Sequence, residues 1–260
     1  MSDQCSRLQE VIDSLLGPEG CPWDKKQTPE SLCDYVLEEA FELVDEIRSK
    51  RPEGAMEELG DVFFLLLFIA RLYEDEGNFS LEDALAYSSA KMIRRHPHVF
   101  ASAKVDGQED VLKNWERIKR NEKKNKDDSP AGVFESLPGG LPPLLKAYRI
   151  HSKAARVGFT WESDTEVEEQ LASEWQEFAE AREAGDQEAM DREFGDYIFT
   201  LAELGRRHKI KANAALHLAN IKFLDRFTKM EAMARAKGKD IADLSLAEQN
   251  ELWGQVKGGE

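Results

Sequence analysis

Apolar residues recur at intervals of three and four along most of this chain. Leu37, Phe41, Val44 and Ile47 form one such series, the spacing that lines a single face of an α-helix. Stretches rich in Ala, Leu, Glu, Lys and Arg cover residues 31–48, 56–76, 81–95, 165–184, 187–207 and 212–237, and each predicts a helix. Strand signals are scarce, so the expected fold class is all-α. Pro52-Glu-Gly54 and Gly185-Asp186 punctuate two of the helix pairs. Connections that short make the paired helices antiparallel neighbours. Thr28-Pro29 reads as a cap and first position for the 31–48 helix, and Ser80-Leu-Glu-Asp83 as a capping pattern for the 81–95 helix. From Leu59 to Leu72 the chain is apolar almost all round. A helix like that needs cover on every side, from further helices, a sister module or a second subunit. The stretch Tyr197 to Leu204 is more polar.

Punctuation also divides the chain. Lys113 to Asp128 is dense in charge, and Ser129 to Pro143 holds four prolines and three glycines. A solvated helix followed by a linker fits that composition. The expected layout is a first module at 1–125, a linker at 126–139 and a second module at 140–260. Composition adds limits. Lys plus Arg is 35, Asp plus Glu 51 and the formal net charge −16; such a chain repels nucleic acid and anionic membrane outside a local basic patch. The longest apolar run, Val62 to Ala70, is far too short to span a bilayer. No basic segment followed by an apolar run opens the sequence, so a cytoplasmic setting is expected. Cys5, Cys21 and Cys33 are odd in number and clustered, which suggests reduced thiols rather than disulfides or zinc ligands.

The candidate chemistry lies in a set of acids that occurs twice. Glu39, Glu42, Glu58 and Asp61 are carried onto Glu174, Glu177, Glu193 and Asp196 by one shift of 135 positions. The surrounding residues follow: Glu58-Leu-Gly-Asp-Val-Phe-Phe-Leu-Leu66 lies over Glu193-Phe-Gly-Asp-Tyr-Ile-Phe-Thr-Leu201. This predicts two tandem helical modules related by duplication. Acids three apart share a helix face, so two such pairs on facing helices would gather four oxygen ligands. Hard divalent cations want such a set, Mg²⁺ above all, with Mn²⁺ as a substitute. Acidic helices are commonly solvated faces, and one copy alone would carry little weight. The register kept across both copies, with Asp61 and Asp196 placed before apolar helices, favours a metal site. Close carboxylates raise each other's pKa, and a triphosphate–Mg²⁺ complex would relieve this. Glu38 lies within about one turn of Glu42 and can orient or deprotonate water.

At Glu38-Glu39-x-x-Glu42 and Glu58-x-x-Asp61 the chain resembles the all-α nucleoside triphosphate pyrophosphohydrolases, and more closely the two-module MazG family. Gly20-Cys-Pro-Trp-Asp-Lys25, Arg94-Arg-His-Pro-His-Val-Phe100, Val157-Gly-Phe-x-Trp161 and Asn220-x-Lys-Phe-x-x-Arg-Phe227 look like family motifs in family order. The resemblance implies Mg²⁺-dependent hydrolysis of nucleoside triphosphates to monophosphate and pyrophosphate, and a homodimer of helical bundles. It also implies a role in clearing aberrant nucleotides or in nucleotide stress signalling. It gives Lys222 and Arg226 to the phosphates and Trp253, followed by Lys257, to the base. Lys91, Arg95 and Trp115 (with Lys119) are the first-module counterparts. One departure stands out. Ser173 occupies the place of Glu38 in the second copy, so water activation there is in question.

Other residues have plainer readings. Lys222 and Arg226, four apart, could decorate a helix, and Trp253 could be a packing aromatic. Trp23 and Trp161 are assigned to packing, His96 and His98 around Pro97 to a structural turn, and the basic run Lys119 to Lys126 to a solvated surface. Two rival functions stay open: a non-catalytic helical module sensing a nucleotide–metal complex, and a narrow-specificity pyrophosphatase for dUTP, dCTP or phosphoribosyl-ATP. The two-module length and the Trp-x-x-x-Lys ends weigh against the latter.

Overall fold

The computed structural model describes residues 2–122 and 131–259. Among these the chain forms α-helices and short 3₁₀ turns and no strand. The chain divides into two compact units, residues 1–108 and 109–260. The expected boundary between 125 and 140 therefore moves to 108/109. The physical reason is a buried ion pair: Glu116, on the charged helix assigned to the first module, meets Lys153 (2.9 Å) and Arg156 (2.6 Å) of the second unit. Of the expected linker, residues 126–130 lie outside the described residues, as does most of the basic run after Glu122.

The first unit holds α1 (Ser2–Leu16), α2 (Cys33–Arg48), α3 (Pro52–Asp75), α4 (Leu81–Arg95) and the short α5 (Pro97–Phe100). α2 and α3 form an antiparallel hairpin, and α1 packs on α3. Its core is Ile12, Leu32, Leu65, Leu67 and Phe68, with Leu8, Phe64 and Leu72 against it. Two boundaries differ from the sequence reading. α2 starts at Cys33, because Thr28 and Ser31 exchange side-chain hydrogen bonds with each other's backbone N–H (2.9 and 3.2 Å) and build a separate turn. α3 starts at Pro52, its favoured first position, so Pro52–Gly54 opens the helix rather than separating the pair. Ser80 and Asp83 do form the expected capping box of α4.

The second unit holds α6 (Gln108–Glu122), α7 (Pro143–Arg156), α8 (Asp164–Ala184), α9 (Gln187–Arg207), α10 (Ala212–Ala236) and α11 (Leu246–Gly258). α8 and α9 pair closely, α7 packs on α9, and α10 packs on α7 and α11. Gly185 ends α8 in the left-handed region (φ 71°) and Asp186 caps α9; a side chain would be strained at the glycine. Met230, Ala234, Leu252 and Val256 close the α10–α11 contact. A buried polar network ties α7 to α9. His151 Nε2 lies 3.0 Å from the Phe199 carbonyl, and Arg206 donates two bonds (2.6 and 2.8 Å) to Glu203.

The apolar wrap of α3 is covered on one side only. Phe68 is 1% exposed, whereas Leu59 is 59% and Phe63 44% exposed. Phe41 and Ile47 of α2 stand open in the same way. No helix among the described residues is long and apolar enough to cross a membrane.

Candidate functional site

In each unit one helical hairpin gathers acids. α2 carries Glu38, Glu39 and Glu42, and α3 carries Glu58 and Asp61. Antiparallel packing brings one carboxylate oxygen each of Glu39, Glu58 and Asp61 within 4.8 Å of one another. The i, i+3 spacing puts Glu58 and Asp61 on one face of α3, and the α2–α3 contact turns that face to Glu39. Glu42 falls outside this cluster, but its charge raises the pKa of both Glu39 and Glu58. Both carboxyls are held above the ordinary value, first because the hairpin strips water from them. Glu58 is then raised by a hydrogen bond it shares with Glu39, and by the neighbouring charges. That shared bond pulls Glu39 down, while Asp61, Glu42 and Glu38 push it up.

The second hairpin gives Glu174, Glu177 and Glu193, again with one oxygen from each within 4.8 Å. Here Asp196 is the member outside the cluster, yet its charge still acts on Glu193. Glu193 is raised by loss of water contact and then by Glu177, Asp196 and Glu174, against which Arg192 acts. Thus each expected set of four appears as three close oxygens and an outlying fourth. The expectation that Asp61 and Asp196 sit at the entrance to buried helices is corrected. Both lie inside their helices and both are exposed, because α3 and α9 bury only their later turns.

All the donors are carboxylate oxygens, and loss of water contact together with neighbouring charges makes ionisation of Glu39, Glu58 and Glu193 less favourable. A divalent cation of the hard class fits such a set of oxygens, because it offsets their crowded negative charge. Glu39, Glu58 and Asp61 in the first unit, and Glu174, Glu177 and Glu193 in the second, are the residues that could hold a cation.

The units differ at the position before the first acid. Glu38 is exposed and close enough to raise its neighbour Glu39. Ser173 instead donates its hydroxyl hydrogen to Glu177 Oε1 at 2.9 Å, and Gln170 donates to Glu174 Oε1 at 2.7 Å. Neither hydrogen bond was drawn from the sequence, although both pairs stand four apart, within reach on one helix.

The basic and aromatic candidates fall into place unevenly. In the second unit, the Arg226 guanidinium of α10 lies over the Trp253 ring of α11, 5.8 Å from its centre. Phe223 meets the same ring at 5.3 Å. Phe223 stands inside the Lys-Phe-x-x-Arg-Phe segment but was not singled out from the sequence. Lys222 and Lys257 are exposed on these two helices. In the first unit, Lys91 and Arg95 lie one turn apart on α4, with the Lys91 ammonium over Tyr87 (5.4 Å). Trp115 is on α6, in the second unit rather than the first as expected. His96 joins α4 to α5 with Nδ1 2.7 Å from the Met92 carbonyl, a structural turn. Trp161 is partly buried, whereas Trp23 is 51% exposed and touches Tyr35 edge-on at 5.7 Å, so packing accounts for only part of Trp23.

Residues 27–100, which hold the first acid set, match the model of the MazG nucleotide pyrophosphohydrolase domain. The chain is 38% identical over 253 residues to a protein of Thermotoga maritima named nucleoside triphosphate pyrophosphohydrolase/pyrophosphatase MazG, spanning 97% of this chain and 95% of that one. The chain belongs to the MazG family. The similarity to the nucleoside triphosphate pyrophosphohydrolase of Escherichia coli K12 is also 38%, over 258 residues, 98% of this chain and 97% of the relative. A Bacillus subtilis protein, YabN, is 42% identical across 97% of this chain, which spans 51% of YabN. Relatives matched from end to end place both acid clusters within the extent of MazG homology.

Proposed function

We propose that the protein hydrolyses nucleoside triphosphates to monophosphate and pyrophosphate with Mg²⁺ bound at the carboxylate hairpins. The crowding of Glu39, Glu58 and Asp61 within 4.8 Å, with two of them held above their ordinary pKa, carries this reading. Membership of the family and the activities for which full-length relatives are named support it. Glu39, Glu58 and Asp61 would hold the cation, which would supply positive charge against the charge that develops as the anhydride breaks.

The residues of the chain divide the remaining work. Glu38, exposed beside Glu39, accepts the proton of the attacking water. The water oxygen bonds to a phosphorus flanking the α–β bridge, the bond from that phosphorus to the bridging oxygen breaks, and that oxygen leaves with the other product. Lys222 and Arg226 hold phosphate oxygens, and Trp253, with Lys257 after it, offers an aromatic face to the base. Lys91 and Arg95 would do the phosphate work in the first unit. Trp115 was expected beside them, but its place on α6 leaves its nucleotide role unsupported. The two hairpins are read as products of one duplication, and the chain as a cytoplasmic enzyme, since that is where nucleoside triphosphates are made and spent.

The open faces at Phe41, Ile47, Leu59 and Phe63 support a homodimer, since a monomer would leave this apolar surface in water. One observation favours a second reading for the second unit. Ser173 ties up Glu177 and supplies no carboxylate, as a unit that binds nucleotide without turning it over would have it. Incubating the protein with each nucleoside triphosphate and Mg²⁺, then separating the products, tests the reading. Monophosphate plus pyrophosphate, abolished by EDTA, is expected. Diphosphate plus phosphate, or full activity in chelator, would overturn it.

A further inference from the structure

The second unit contains a cation-lined hollow that neither carboxylate hairpin uses. It has a volume of about 250 Å³ between α6 and α7, and Lys113, Arg117, Arg120, Lys153 and Arg156 line it around a single acid, Glu116. Glu116 is shared by Lys153 (2.9 Å) and Arg156 (2.6 Å), and Lys153 also donates to Ser136 Oγ at 2.8 Å. The acid therefore offsets one of two cations. Arg117 donates to the neutral Asn114 Oδ1 (3.0 Å) and Arg120 to the Ala131 carbonyl (3.1 Å). Among the described residues neither meets a carboxylate. Lys153 is 2% exposed, so its ammonium is fixed in the wall rather than waving in solvent.

A basic helix face is usually just solvated, and Lys113, Arg117 and Arg120 have the spacing of one face. Three features separate this place from that ordinary case. It is concave, it holds a buried lysine pinned by two partners, and among the described residues its lining gathers five cations around one acid in a chain of formal charge −16. Guanidinium forks and a fixed ammonium are the donors that recognise phosphate oxygens. The volume falls below the ~300–1,000 Å³ typical of pockets that enclose a drug-sized ligand. It suits a phosphate chain better than a whole nucleotide. A second hollow of about 500 Å³ shares Lys113 and Arg156 and adds Lys209 and Lys211, so the positive surface continues beyond the first. Sequence-independent binding of a nucleic acid strand wants open aromatic platforms as well. Tyr148, the aromatic there, is covered by the Lys211 ammonium at 4.3 Å.

We propose that the hollow between α6 and α7 is a metal-independent binding site for a phosphate chain, either free pyrophosphate or the tail of a nucleoside triphosphate. The site stands on its own residues and does not depend on the pyrophosphohydrolase reading. If that reading holds, the site is placed to sense the reaction's product or substrate.

The test titrates sodium pyrophosphate, and separately ATP, into the full-length protein by calorimetry in excess EDTA, which removes any cation from the carboxylates. The wild type should bind, and the paired exposed substitutions Lys113→Ala and Arg117→Ala should weaken binding at least about tenfold. Glu116→Gln, which removes the one negative charge and keeps an acceptor for Lys153, should tighten it. Equal affinity for ATP assigns the nucleotide tail, and a preference for pyrophosphate assigns the free anion. The proposal is overturned if the wild type binds neither in EDTA, or if the paired variant binds as well as its parent. It also fails if the loss follows Lys222→Ala with Arg226→Ala instead, or if a short single-stranded DNA binds the hollow more tightly than pyrophosphate at equal salt.

Discussion

Replacing Glu39 with Gln should have opposite effects with and without metal. In the first unit Glu39 is one of three carboxylates whose oxygens lie within 4.8 Å. Its folded pKa is raised, first by loss of water contact and then by Asp61, Glu42 and Glu38 acting against the bond to Glu58. The sign follows directly. A carboxyl with a raised folded pKa is reluctant to ionise, so near pH 7.5 its charge destabilises the metal-free fold, and glutamine removes that cost. In EDTA the variant should therefore melt at or slightly above its parent. Saturating metal reverses the order. At a hundred times its Kd a ligand adds about 2.7 kcal/mol. For a unit of 108 residues that is a rise of roughly 10 °C, at about 4 °C per kcal/mol. Loss of one charged ligand, taken as a hundredfold in affinity, leaves about 0.4 kcal/mol and roughly 2 °C at the same Mg²⁺ concentration. Scanning calorimetry in a Glu193→Gln background, which silences the second cluster, isolates the effect. The Mg²⁺-induced rise should also shrink as pH falls toward the ordinary carboxylate range, where protons compete for the same oxygens. A purely structural role predicts a lower melting temperature in EDTA as well. That outcome, or an undiminished rise with Mg²⁺, would refute the reasoning.

Three further outcomes are expected. Asp61→Asn should remove most turnover and Asp196→Asn little, because Ser173 supplies no carboxylate; Ser173→Glu in the Asp61→Asn background should restore rate in product assays, and no gain would mean that the serine does not limit the second unit. Lys153→Ala should cost about 3 kcal/mol in chemical denaturation, the lower end for breaking a buried pair because Arg156 still meets Glu116; a loss below about 1 kcal/mol would show that the pair does not anchor α6. Phe63→Glu, on the open face of α3, should convert a dimer to a monomer by light scattering, and a wild-type monomer at micromolar concentration would remove the homodimer reading.

Sequence alone determined much of this protein. The three-and-four periodicity placed six helices within a few residues of their observed ends, because amphipathic faces and punctuating Pro and Gly are local properties. The repeated acids named both clusters, since i, i+3 spacing on antiparallel neighbours leaves little freedom in where carboxylates point. The tertiary structure decided what depends on partners distant along the chain. α6 passed to the second unit through Glu116 and Lys153, 37 positions apart, an ion pair that no local pattern encodes. Asp61 and Asp196 proved exposed because burial depends on which turns of α3 and α9 other helices cover. Thr28 capped a turn rather than a helix because Ser31 competed for its backbone. The hollow of cations around Glu116 was invisible in a sequence of net charge −16, since composition sums charge over the whole surface and only packing concentrates it.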